Sequence, residues 1–240
     1  MNFLAKLFNN KISILMGFYF LMIVFEFIAL TIDSSFLHKI SNYLSAPLII
    51  LIYILVSKEK FKYYFIIVIL FLYATDVFHL HVKQDINNLF CVYLNTVSYL
   101  VLSVFLIKQI KINFLFLNDL ISVLSFLIIT GFYLYIFFIV EGFLHEVNTD
   151  KYTHYLVYEI LMLFMSVIVA YRFLNRQNLS NLYLMIVVTC LMISDFFYLM
   201  KFLYDDFKAF KFLLYIPQLI VYFFLLKYEL TRVKIFKIFN

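Results

Sequence analysis

Apolar residues run in stretches of about 20, divided by short polar segments, near 12–32, 40–57, 61–80, 88–107, 119–140, 152–174, 180–204 and 211–230. A helix rising 1.5 Å per residue needs about 20 residues to cross a hydrocarbon layer of roughly 30 Å. Lipid offers no partner for peptide groups, so a spanning segment must satisfy them within itself, as a helix does. The pattern therefore predicts an all-α fold, a polytopic bundle of eight transmembrane helices forming one integral membrane domain over 1–240. Residues Met1 to Lys11 carry Lys6 and Lys11 ahead of a run too long for a signal peptide, and the segment leads into a first transmembrane helix.

An even number of spans puts both termini on one side. Lys39, Lys83, Lys151, Lys201, Lys208 and Lys211 fall on the opposite side, and the other thirteen of the nineteen Lys and Arg fall with the termini. The positive-inside rule then predicts both termini to be cytoplasmic. Asp33, Asp85, Glu141, Glu146, Asp150, Asp205 and Asp206 gather on the outer side, in agreement with that orientation.

Composition narrows the function classes. The 240 residues are 66% hydrophobic and 14% charged, with mean hydropathy +1.00, against about 25% charged in soluble domains. With three Gly, two Pro and no long polar stretch, chemistry is expected inside or at the edge of the bilayer. The net charge of +5 follows from the cytoplasmic Lys/Arg excess, and no basic block marks a nucleic-acid partner. Cys91 and Cys190 lie in apolar runs and predict no disulfide. No G-x-S-x-G, Walker loop, C-x-x-C or H-E-x-x-H occurs, so serine hydrolysis, nucleotide hydrolysis, thiol redox chemistry and a metal site have no anchor. His79 and His81 stand at the mouth of the third span, and His38, His145 and His154 take no role. The abundance of Phe, Ile, Lys and Asn matches an AT-rich bacterial genome, and hence a bacterial inner membrane.

An ionisable group inside a span costs about 2.5–3.5 kcal/mol to insert and asks for a reason. Glu26, Asp76, Glu159 and Asp195 are such groups, and all fall in the outer half, roughly 5–12 Å below the boundary by helical rise. Asn95, Tyr99, Tyr215, Gln218 and Pro47 lie at comparable depth, while the cytoplasmic half is plainer. Helical spacing puts Tyr73, Asp76 and His79 on one face, as it does Asp195 with Tyr198, Tyr155 with Glu159, Asn95 with Tyr99, and Gln218 with Tyr215 and Tyr222. These faces predict a hydrated pocket open toward the outer leaflet. Two carboxyl groups in such a pocket repel when both are ionised, which suits acid/base hydrolysis through an oxocarbenium-like cation. A transporter would use the same intramembrane acids but needs a path through the plain inner half.

Several of these residues resemble those of the YhhN-type lysoplasmalogenases, eight-span membrane proteins of about this length. Ile193-Ser194-Asp195, with Phe202 after a Lys, looks like that family's Ser-Asp segment. Tyr215-Ile216-Pro217-Gln218 is similar to its Tyr-x-x-Gln, Asp76 stands where it has its other aspartate, and Pro47-Leu48 resembles the proline-containing start of its second span. The chain differs at Ala46, where the family commonly carries Lys, at Thr75, which replaces a Gly, and at Asn95, where a His-x-x-Tyr pair is typical. The resemblance implies cleavage of the vinyl ether bond of a lysoplasmalogen, an amphiphilic lipid, to a fatty aldehyde, with no metal or organic cofactor. It implies Asp76 and Asp195 as the catalytic pair. Glu26, Pro47, Asn95, Tyr99, Glu159, Ser194, Tyr215 and Gln218 are the expected substrate-binding residues. A catalytically silent lipid-binding relative is the alternative.

Overall fold

The computed structural model describes residues 2–57, 62–81, 89–108, 120–147, 152–203 and 207–238. Among them the chain forms α1 (Asn2–Ile32), α2 (Ser35–Ser57), α3 (Tyr63–His81), α4 (Leu89–Ile107), α5 (Leu120–Val147), α6 (Tyr152–Asn175), α7 (Leu179–Leu203) and α8 (Lys208–Ile238). Each is long and apolar enough to cross a membrane, which makes the chain a multi-pass integral membrane protein. The predicted spans correspond one to one. They differ at the ends, because a helix continues past its apolar window until something stops it: α1 begins well before residue 12, α2 begins at Ser35 rather than 40, and α5 and α8 run beyond 140 and 230.

The α1–α2 turn shows such a stop. Asp33 adopts φ 55°, a left-handed conformation that Asp tolerates better than most residues. Ser34 N–H then donates to Ala29 O at 2.9 Å, closing a Schellman-type end. Ser34 also starts the next helix, its Oγ 3.5 Å from the Leu37 amide, in the manner of an N-cap. Two residues thus reverse the chain, and α1 lies along α2.

Sequential helices pack in pairs, α1 with α2, α3 with α4, α5 with α6 and α7 with α8. Contacts of α8 with α1 and α2, of α2 with α3, of α4 with α6 and of α6 with α7 join the pairs. α5 stands apart, packed on α6 with a slight touch on α7. Its Leu127, Ile128, Phe132 and Phe138 are exposed, as suits a lipid-facing helix. The core holds Ile49, Ile52, Ile69, Leu102, Met165, Val187 and Leu226.

Two helices contain proline. A residue 47 without an N–H leaves the carbonyl of Tyr43 without its helical donor, and the Tyr73 hydroxyl of α3 donates to that oxygen at 3.1 Å. On α8, in the turn before Pro217, Leu214 O accepts the Ser194 hydroxyl of α7 at 3.0 Å. Backbone positions next to the prolines thereby join neighbouring helices.

Candidate functional site

Two small cavities lie side by side among α3, α4, α6, α7 and α8. The first, of about 30 Å³, is lined by His79, Cys91, Asn95, Tyr155, Tyr158, Glu159, Asp195, Tyr198 and Gln218, with Val92. The second, of about 20 Å³, is lined by Asp76, Asn95, Tyr99, Ser194, Asp195, Gln218 and Tyr222, with Leu72, Leu191 and Val221. Asn95, Asp195 and Gln218 belong to both walls. A water needs roughly 10–15 Å³ by this measure, so each space has room for about one or two.

Asp76 and Asp195 therefore share the wall of one cavity, although α3 and α7 carry them. Each carboxylate is held by tyrosine. Asp76, 8% exposed, accepts the Tyr222 hydroxyl. Asp195 accepts the Tyr99 hydroxyl at 2.9 Å, and Tyr99 in turn accepts the Tyr158 hydroxyl at 3.4 Å. The rings of Tyr99 and Tyr158 stack at 5.4 Å and 21°, which fixes that pair of hydroxyls beside the carboxylate. The tyrosine hydroxyls thus fix the orientation of both acids.

The amides complete the floor. Asn95 Oδ1 accepts the Thr75 hydroxyl at 2.9 Å, and Gln218 reaches both cavities. Glu159 is buried against the first cavity, and its Oε1 has no hydrogen-bond partner among the described residues. Ser194 is spent on the backbone of α8 and lines only the second cavity. The arrangement brings two carboxyl groups, two amides and several phenols around water-sized space, the set needed to move a proton and hold a water molecule.

Three sequence-selected residues lie elsewhere. Glu26 is fully buried at the α1–α2 pairing, where His38 Nδ1 stands 2.7 Å from Oε1, Asn42 Nδ2 donates to Oε2 at 3.2 Å, and the Ser41 hydroxyl also donates to Oε2. Its hydrogen-bond partners among the described residues come from α2 and reach it across the two-residue turn, forming a polar knot outside both cavities. Tyr215 lines neither cavity, and its ring stands edge-on to His38 at 4.6 Å. Pro47 is exposed on α2 and acts through the Tyr43 carbonyl it leaves open.

Other residues carry more than the sequence assigned them. His79 lines the first cavity, its ring 4.8 Å from that of Tyr198 and its Nδ1 3.9 Å from Cys91 Sγ. The shared face with Asp76 was the signal that could have found it. His38, assigned no role, is the partner of Glu26. The half of the bundle carrying the termini also holds a buried charge: Glu229 is fully buried, Arg232 Nη2 lies 2.7 Å from its Oε1, and the Tyr64 hydroxyl donates to Oε2. The Arg232 guanidinium sits over the Phe105 ring at 5.0 Å. That half is thus less plain than its sequence, because a charge at a span end reads as interfacial until its partners are known. Among the described residues, no three His, Cys, Asp or Glu side chains are grouped to hold a metal ion.

Comparison with protein-family models, curated proteins and solved structures finds no match. Fold and site together define the class: a polytopic α-helical membrane protein with paired carboxyl groups in its interior.

Proposed function

We propose that the chain is a membrane-embedded hydrolase resembling the YhhN-type lysoplasmalogenases, with Asp76 and Asp195 as its acid/base pair and a vinyl ether lysophospholipid as its substrate. The reading places it in a bacterial inner membrane, with the termini cytoplasmic and the cavities in the outer half. The observation that supports it best is the shared wall: both aspartates, with Asn95, Gln218 and their tyrosines, face one cavity.

The chemistry balances with one water. One carboxyl group protonates the vinyl carbon remote from the ether oxygen, leaving an oxocarbenium ion at the oxygen-bearing carbon that the opposing carboxylate stabilises. Water adds to the cationic carbon as that carboxylate takes its proton. The hemiacetal then breaks its C–O bond, its hydroxyl proton passes to the departing glyceryl oxygen, and aldehyde and alcohol result. Asn95 and Gln218 hold the water, while the acyl-like tail lies among the exposed Phe, Ile and Leu side chains between helices.

Purified full-length protein is assayed for aldehyde release from a lysoplasmalogen. Asp76→Asn and Asp195→Asn are each expected to lower the rate by about 10²–10⁴-fold. Full activity in either variant removes the pair. The catalytically silent lipid-binding alternative draws support from Ala46 and Asn95, which stand where those enzymes carry Lys and His. Retention of lipid without aldehyde identifies that outcome.

A further inference from the structure

The first cavity brings two acids together, and the one basic side chain on its wall is the imidazole of His79. Glu159 and Asp195 both line it, and none of its lining residues is Lys or Arg. A carboxylate enclosed away from water is stable only when donors, a proton or a cation meet its oxygens. Asp195 has the Tyr99 hydroxyl. Glu159 is 6% exposed, and its Oε1 is buried with no hydrogen-bond partner among the described residues.

The same wall supplies neutral oxygens. Asn95 Oδ1 takes the Thr75 hydroxyl and keeps a second lone pair, and the Gln218 amide reaches the same space. We propose that this cavity binds a small monovalent cation, of sodium size, between Glu159 and Asp195, with the amide oxygens of Asn95 and Gln218 as further ligands.

Size and charge select this class. A space of about 30 Å³ holds about two water molecules, enough for one ion and a water but too little for an organic ammonium group. Calcium takes six to eight oxygens, commonly with several carboxylates, and only two acids line this wall. Intramembrane acids facing a hydrated space are a recurrent setting for ion binding. The inference does not rest on hydrolysis, and its test reads binding alone.

The full chain in detergent is melted in sodium chloride and in N-methylglucamine chloride at equal ionic strength, with potassium chloride as a third arm. Sodium is expected to raise Tm saturably, on the order of 5 °C at a hundred times Kd, with potassium weaker and Glu159→Gln flat. Binding of radioactive sodium to the wild-type protein, displaced by unlabelled sodium and not by N-methylglucamine, provides a readout that needs no variant to fold. Equal Tm in all three salts with no displaceable sodium means that protons alone neutralise the acids, and overturns the proposal. A sodium-dependent rise kept in full by a folded Glu159→Gln overturns the placement.

Discussion

The Thr75 hydroxyl of α3 stands 2.9 Å from Asn95 Oδ1 of α4, so two positions at which the sequence departs from the YhhN-type pattern are partners in space. A glycine at 75 has no hydroxyl, and an asparagine at 95 would then lack this donor. The paired departure holds Asn95 with its amide at the wall common to both cavities. Thr75→Val is expected to lower stability by about 0.5–1.5 kcal/mol, because Asn95 Oδ1 loses its donor in a half-buried setting. A double-mutant cycle with Asn95→Leu, read as Tm in detergent, should return a coupling of about 0.5–1.5 kcal/mol.

Glu26 is wholly enclosed and takes His38, Ser41 and Asn42. Replacing it with Ala removes the acceptor that all three share and leaves Ser41 and Asn42 on the His38 carbonyl at 3.0 and 2.8 Å. The loss is expected to be on the order of 3 kcal/mol or more, and His38→Asn is expected to cost less, since Ser41 and Asn42 remain on the carboxylate. Thermal melts of the two variants check the order.

Arg232→Met removes the cation from a buried carboxylate. Among the described residues Glu229 would keep the Tyr64 hydroxyl as its side-chain donor, and breaking one side of such a pair costs about 3–5 kcal/mol. The double change Arg232→Met with Glu229→Leu should recover much of that loss, because neither charge then needs burial. Tm of the single and double variants decides it.

Asp33 lies in the α1–α2 turn, outside the spans, and Lys208 Nζ is 2.6 Å from its Oδ2. The hydrogen bond from Lys208 holds its carboxyl below the ordinary aspartate value. A lowered folded value means that stabilisation is complete above the ordinary value of about 4 and is lost as pH falls through the folded one. Both side chains are exposed, so the effect is small and salt-sensitive. Asp33→Asn keeps a residue that tolerates the left-handed turn and removes the charge. The difference in Tm between wild type and this variant should shrink as pH falls below about 4.

Helix number and identity were legible in the run-lengths of apolar residues, because a bilayer demands an uninterrupted apolar stretch and little else. The meeting of Asp76 with Asp195 at one cavity followed from depth and helical face, since short side chains must be met where their backbone sits. Glu26 obeyed the same depth rule and went elsewhere. Its destination depended on the Asp33–Ser34 reversal, which starts α2 at Ser35 and brings His38 into the helix. Pro47 was visible at the depth of the polar layer, but its outward direction and the inward use of the Tyr43 carbonyl needed coordinates. Glu229 lies at the end of the eighth apolar run, where a charge carries no sign of burial, so its enclosure with Arg232 needed coordinates.

The tight α1–α2 reversal bears on biogenesis. Glu26 alone on α1 would enter lipid at a penalty, yet His38, Ser41 and Asn42 follow it by one short turn. The two helices are therefore suited to leave the translocon together as a helical hairpin, with the acid already sheltered when lipid first surrounds it.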